Sequence, residues 1–117
     1  GLGTMDMLPE IVEAVDKKAK IVIDGGVQRG SDIAKAIALG ADSVAIGKMQ
    51  CWGLAAGGEA GLIRTLEILE DEYVSALGFL GVTSTNQLNS NHVCKSDPVT
   101  NPHEMSTWVN MPKNRLT

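Results

Sequence analysis

The sequence predicts an α/β protein built on a parallel βαβ unit, and three observations between Lys20 and Lys48 carry that expectation. Ile21-Val22-Ile23 and Val44-Ala45-Ile46 are short apolar runs without polar alternation, the pattern of strands buried on both faces. Between them, Ser31 as N-cap, apolar Ile33, Ala34, Ile37 and Ala38, and Gly40 as C-cap describe a compact amphipathic helix. Each strand then runs into a glycine turn, Asp24-Gly25-Gly26 after the first and Gly47-Lys48 after the second. In a parallel unit the carboxyl ends of the strands lie side by side, so the two turns are expected to converge.

A convergence of this kind suits an anion. Glycines let a bound group approach backbone N–H donors closely, and the helix that follows adds the positive end of its dipole. In (β/α)8 barrels the loops after the last two strands form a recurrent phosphate site at the catalytic face. The competing reading, that Gly25 and Gly26 only shape a turn, is weakened by the second glycine turn and its cation.

The remaining elements follow in chain order. Thr4 or Asp6 is expected to cap a first helix with Pro9 in its first turn, where the missing N–H is harmless, and with Leu8, Ile11, Val12 and Val15 on one face. Its acids lie early and Lys17 and Lys18 late, as a helix dipole favours. After Lys48, glycines divide the helical pattern into a short piece, roughly Met49 to Ala55, and a long packing helix from Glu59 to about Gly78. Trp52 and Leu54 are candidates for the core, and the short piece can aim its first N–H groups at the same anion as Gly47. Leu62, Leu66, Leu69, Val74 and Leu77 make the apolar stripe of the long helix. A loop from Val82 leads into a helical turn around Asn86 to Asn91. Beyond Val93 the chain is polar, aperiodic and broken by Pro98, Pro102 and Pro112, so an extended or disordered tail is expected over 94–117.

Composition narrows the partners. The chain of 117 residues carries a net charge of −4 without a basic stripe, which argues against nucleic acid. No run approaches the ~18 apolar residues of a membrane span, and no secretory leader pattern opens the chain. Cys51 and Cys94 lack metal-site or disulfide spacing and read as free thiols, so neither a metal nor a disulfide is expected. His92 and His103 have no partner spacing that marks a catalytic base. The missing Met at position 1 points to a fragment, and two parallel strands alone leave sheet edges and apolar surface patterned for neighbours the sequence does not contain.

Four segments in this order, TMDMLPEIVEAV, IVIDGGVQRGSDIAKAIALGADSVAIGK, WGLAAGGEAGLIRTLEILEDEY and LGFLGVTSTNQL, resemble the FMN-dependent 2-hydroxy-acid oxidases and dehydrogenases. The resemblance implies a piece of a TIM (β/α)8 barrel, strands seven and eight with their helices, over residues 1–93. It implies FMN as cofactor, a small 2-hydroxy acid as substrate of the full-length enzyme, a homo-oligomer of tetrameric type and, with no Ser-Lys-Leu ending, a cytoplasmic setting. By the same resemblance Asp24, Gly25, Gly26, Val27, Gln28 and Arg29 meet the FMN phosphate, with Gly47 and Lys48 closing the site.

This sequence departs from the family pattern at two of those positions, since the family usually has arginine where Gln28 and Lys48 stand. Arginine holds phosphate through two parallel hydrogen bonds, which a neutral amide or a point charge does not reproduce. Arg29 matches the family's second basic residue, but its side chain leaves the backbone in another direction from residue 28. The family's catalytic histidine and arginine lie just before the segment that begins here, so no catalytic residue is assigned. Two alternatives stay open: a noncatalytic truncated module, and a phosphate-gripping barrel of the inosine monophosphate dehydrogenase type.

Overall fold

The structure, a computed structural model, describes residues 2–96. In chain order it contains helix α1 (Thr4–Val15), strand β1 (Val22–Asp24), helix α2 (Gly30–Ala38), strand β2 (Ser43–Ala45), helix α3 (Lys48–Phe79) and two short 3-10 turns, Thr85–Gln87 and Ser90–His92. The strands pair in parallel with Ile23 opposite Val44 and Asp24 opposite Ala45, so the βαβ unit read from the sequence is present. The turn expected around Asn86 to Asn91 is the pair of 3-10 turns. Of the expected tail, residues 97–117 lie outside the described residues, and so does His103.

Several local expectations are corrected. Gly3, not Thr4 or Asp6, is the cap of α1, and it makes no side-chain hydrogen bond there. Because the helix starts at Thr4, Pro9 falls beyond the first turn, and Lys17 and Lys18 lie past its end at Val15. Arg29 is the N-cap of α2, with Ser31 already inside the helix. Two carboxylates displace the serine: Asp32 accepts the Arg29 N–H at 3.1 Å, and Glu72 from α3 accepts the Gly30 N–H at 2.8 Å. At its other end α2 closes as expected around Gly40, with Gly40 N–H donating to Ile37 O and Ala41 N–H to Ala36 O, the pair of bonds that satisfies terminal carbonyls.

The core sits on both sides of α2. One cluster joins Leu8 of α1 and Ile23 of β1 to Ala36 and Ala41, with Met5, Val12, Ile21, Leu39 and Val44 around them. The other joins Ala34 and Ala38 to Leu88, with Tyr73, Ala76 and Leu77 of α3 packed against it. Alanines on both faces let α2 approach its neighbours closely, so a nine-residue helix serves two cores. The strands themselves are not buried on both faces: Ile23 is covered, but Val22 is 60% exposed. The reason is that only one face of this two-stranded sheet meets helices, and period-two alternation sends Val22 to the other.

Helix α3 is bent at Gly57 (φ −150°, ψ 20°) and Gly58 (φ 60°, ψ −144°), which separates residues 48–56 from residues 59–79 as the glycines suggested. The two arms then touch through their backbones. A Cβ on Gly61 would collide with the carbonyl oxygen of Gly53, and one on Gly53 would collide with Thr65 Oγ1. Trp52 is half-buried, whereas Leu54 is 53% exposed and thus not a core residue. On the long arm Leu69 is buried, but Leu66 and Val74 of the expected stripe are 47% and 60% exposed, because α2 covers only part of that face.

At the amino ends of the strands Asp42 ties the sheet together, accepting from Lys20 Nζ at 2.7 Å and from the Ile21 N–H at 2.8 Å. The hydrogen bonds from Lys20 and from the Ile21 backbone hold its carboxyl below the ordinary aspartate value. A lowered value means that this stabilisation is present above the ordinary aspartate range and is lost as pH falls through the lowered one. Asp42→Asn is therefore expected to flatten the acid side of the stability–pH curve, as read from denaturant midpoints across that range. Gly61→Ala is expected to destabilise the protein by at least about 1–3 kcal/mol through overpacking at Gly53. Gly78→Ala, at a helical position where a Cβ meets nothing within 4 Å, should stabilise it by roughly 0.5–1 kcal/mol in the same denaturation assay.

Candidate functional site

The carboxyl ends of β1 and β2 open into one cleft of about 270 Å³. Its walls are Asp24, Gly25, Gly26, Val27 and Gln28 from the first loop and Ala45, Gly47, Lys48 and Met49 from the second. Parallel pairing of Asp24 with Ala45 brings the two loops level, and the glycines shape the first one. Gly25 and Gly26 have φ of 109° and 81°, a region that costs a residue with a Cβ about 1–2 kcal/mol. The turn therefore presents bare backbone to the cleft.

Every residue singled out from the sequence except Arg29 lines this cleft. Arg29 is turned away: its Nη2 lies 2.8 Å from Glu72 Oε1, and it borders a separate surface depression with Asp71, Glu72 and Phe79. The backbone explains the divergence. Arg29 is extended, with φ −129° and ψ 153°, and successive side chains of an extended chain point to opposite sides.

The donors at the amino end of α2 are already engaged. The N–H groups of Gln28 and Arg29 both donate to Asp32 Oδ2, at 3.2 and 3.1 Å, and that of Gly30 donates to Glu72 Oε2. The amino end of α2 is thus occupied by two protein carboxylates, and its dipole is already answered. At the amino end of α3 the first internal acceptor, Gly47 O, takes the N–H of Cys51, and Gly47, Lys48 and Met49 line the cleft. Sequence reading offered both the helix after the first turn and the short piece after Lys48, and one of the carboxylates that occupy the end of α2, Glu72, is remote in the chain.

The residues present suit one end of a larger ligand. At about 270 Å³ the cleft falls just below the ~300–1,000 Å³ of pockets that enclose a whole drug-sized molecule. Lys48, the Gln28 amide and the first turn of α3 are donors suited to a phosphate ester. Asp24 repels a phosphate but accepts hydrogen bonds from hydroxyl groups. A phosphorylated polyol chain matches this combination of donors and acceptor. His92 does not line the cleft; its Nδ1 accepts the Asn89 N–H at 3.1 Å and closes the last 3-10 turn. Among the described residues no group of His, Cys, Asp and Glu has the arrangement of a metal site, and no helix is long and apolar enough to cross a membrane. Cys51 and Cys94 are both free and exposed.

Comparison with known proteins places the chain in a family. Residues 1–95 match the model of the FMN-dependent dehydrogenases, and the chain belongs to that family. It is 42% identical over 89 residues to an L-lactate oxidase of Nostoc sp., covering 76% of this chain and 24% of that protein. It is 44% identical over 94 residues to human 2-hydroxyacid oxidase 1, covering 80% of this chain and 25% of that protein. A solved mandelate oxidase variant with the monooxide FMN adduct superposes with a TM-score of 0.68 at 41% identity, covering 70% of this chain and 26% of that one. The chain thus spans about a quarter of the length of the relatives it matches. The cofactor of the family is FMN.

Proposed function

We propose that this chain supplies the FMN phosphate site of an FMN-dependent oxidase of small 2-hydroxy acids. In this reading residues 1–93 are strands seven and eight of a (β/α)8 barrel with their helices, and the following residues are an extension. The family match ending at residue 95 supports that boundary. The parallel β1–α2–β2 unit with its helix packed on one sheet face is the local architecture of such a barrel. The single observation that carries the site assignment is the cleft itself, where loops from both strands meet around glycine backbone, Lys48 and the amino end of α3.

When bound, FMN supplies a ring that accepts the hydride or its equivalent from the α-carbon of the hydroxy acid. The residues of this chain hold the other end of the cofactor. Lys48 and the N–H groups at the start of α3 neutralise the phosphate, Gln28 donates its amide, and the turn at Gly25 and Gly26 gives the phosphate close access to backbone. Asp24, which lines the same cleft, would accept hydrogen bonds from hydroxyl groups of the ribityl chain. No residue of the cleft is assigned as the base that takes the substrate hydroxyl proton or as the cation that holds its carboxylate. The exposed apolar side chains on α3, among them Leu54, Leu66, Val74 and Phe79, favour burial against further surface of the enzyme or of a second copy in a homo-oligomer. Family membership also supports the flavin reading over a nucleotide-substrate barrel.

The test is a comparison of FMN with riboflavin, which differs only by the phosphate, in flavin-fluorescence titrations of the full-length protein. Lys48→Ala is expected to weaken FMN about tenfold or more, the scale of a charge-assisted hydrogen bond, and to leave riboflavin within about twofold. Equal losses for both flavins would contradict a phosphate site at Lys48.

A further inference from the structure

The loop that carries Gln28 is held from behind by one side chain. Both carboxylate oxygens of Glu72 are engaged, Oε1 with Arg29 Nη2 at 2.8 Å and Oε2 with the Gly30 N–H at 2.8 Å. The pair is partly shielded, with the Glu72 side chain 26% exposed and that of Arg29 69%. Gly30 is buried directly against α3, and a Cβ there would collide with the main chain of Glu72 and Tyr73. Asp32 completes the arrangement by accepting the N–H groups of Gln28 and Arg29. Three consecutive peptide N–H groups, at 28, 29 and 30, are therefore aimed away from the cleft and toward carboxylates.

We propose that Glu72 is the positioning residue of the phosphate cleft: by holding Arg29 and Gly30 against α3, it selects Gln28 as the side chain that faces the ligand. The inference deepens the proposed function and rests on its phosphate reading. Arg29 lies on extended backbone with its side chain on Glu72 of α3, and the residue before it, Gln28, lines the cleft, as expected where successive side chains point to opposite sides. Glu72 settles that choice by offering Arg29 an ionic partner that Gln28 cannot use. The consequence is electrostatic. Among the described residues lining the cleft, Lys48 is the cation and Asp24 the anion, while the guanidinium one residue away is committed elsewhere. Phosphate is then recognised by backbone, one ammonium and one amide, and its strength depends on how firmly the loop is held rather than on a second cation.

The role of Arg29 separates this account from its rivals. If Arg29 is an anchor, removing it and removing Glu72 break the same contact, and their effects do not add. If Arg29 reaches the phosphate, the two effects are independent.

The experiment measures the dissociation constants of riboflavin and FMN for the full-length protein and its variants, with the riboflavin/FMN ratio as the readout of phosphate recognition. Glu72→Ala is expected to lower that ratio about tenfold, with riboflavin affinity nearly unchanged. Arg29→Met should lower it by a smaller factor, and the double variant should be no worse than Glu72→Ala alone. Glu72→Gln keeps an acceptor for Gly30 and should restore most of the ratio, and it serves as the comparison if Glu72→Ala does not fold by far-UV circular dichroism. A ratio unchanged in both Glu72 variants would reduce Glu72 to a packing residue and overturn the inference while leaving the phosphate site standing. Additive losses in the double variant would overturn it by making Arg29 a direct ligand. A wild-type ratio near one would overturn the phosphate reading and this inference together.

Discussion

The attachment of the β1–α2 loop to α3 through Glu72 is the contact on which the rest of the arrangement depends. Local sequence is enough to make a strand, a glycine turn and a short helix, but it does not say how the turn is aimed. Glu72 and Asp32 provide the aim by occupying the N–H groups of residues 28–30. Gly30 makes the attachment sterically feasible, since any side chain there would hold α2 away from α3. With α2 fixed, its alanines serve two cores, one toward α1 and the sheet and one toward α3. The loop ahead of it then meets the loop after β2 at a defined height.

The same contact sets the electrostatic character of the cleft. A helix amino end is an anion site only while its N–H groups lack partners, and α2 spends its own on protein carboxylates. The amino end of α3 also borders the cleft, and its short first arm is folded back at Gly57 and Gly58 and locked by the backbone contact of Gly53 with Gly61. The four glycines thus have two roles. One pair turns the chain, and the other lets two helical arms pack at backbone distance, which fixes where residues 48–50 point. The cleft is therefore supported from its far side by packing that does not line it.

Much of this was legible in the sequence wherever the signal was local. The apolar runs, the helical period between Ser31 and Gly40, and the paired glycine turns identified the βαβ unit and the cleft-lining residues Asp24 to Gln28, Gly47 and Lys48, because each depends on neighbours a few residues away. What was not legible depends on contacts across the fold. Arg29 read as a ligand because it matches the family's second basic residue; its different direction from residue 28 was legible, but its partner, a glutamate 42 positions beyond Gly30, was not. Ser31 read as a cap because serine favours that position, until the same glutamate and Asp32 satisfied the donors first. Val22 read as buried because apolar runs usually lie between two layers, whereas this sheet is covered by helices on one face. Gly53 and Gly61 fell inside the two expected helical pieces, and their close approach was not legible because it joins residues of two different arms.

The central claim is that the two strand-end loops hold the phosphate of FMN, and the most direct measurement is a crystal structure of the full-length protein with FMN bound. The account predicts the phosphate between the Gly25–Gly26 turn and the first turn of α3, beside Lys48, with Gln28 facing it and Arg29 still paired with Glu72. A phosphate bound away from this cleft would contradict the account.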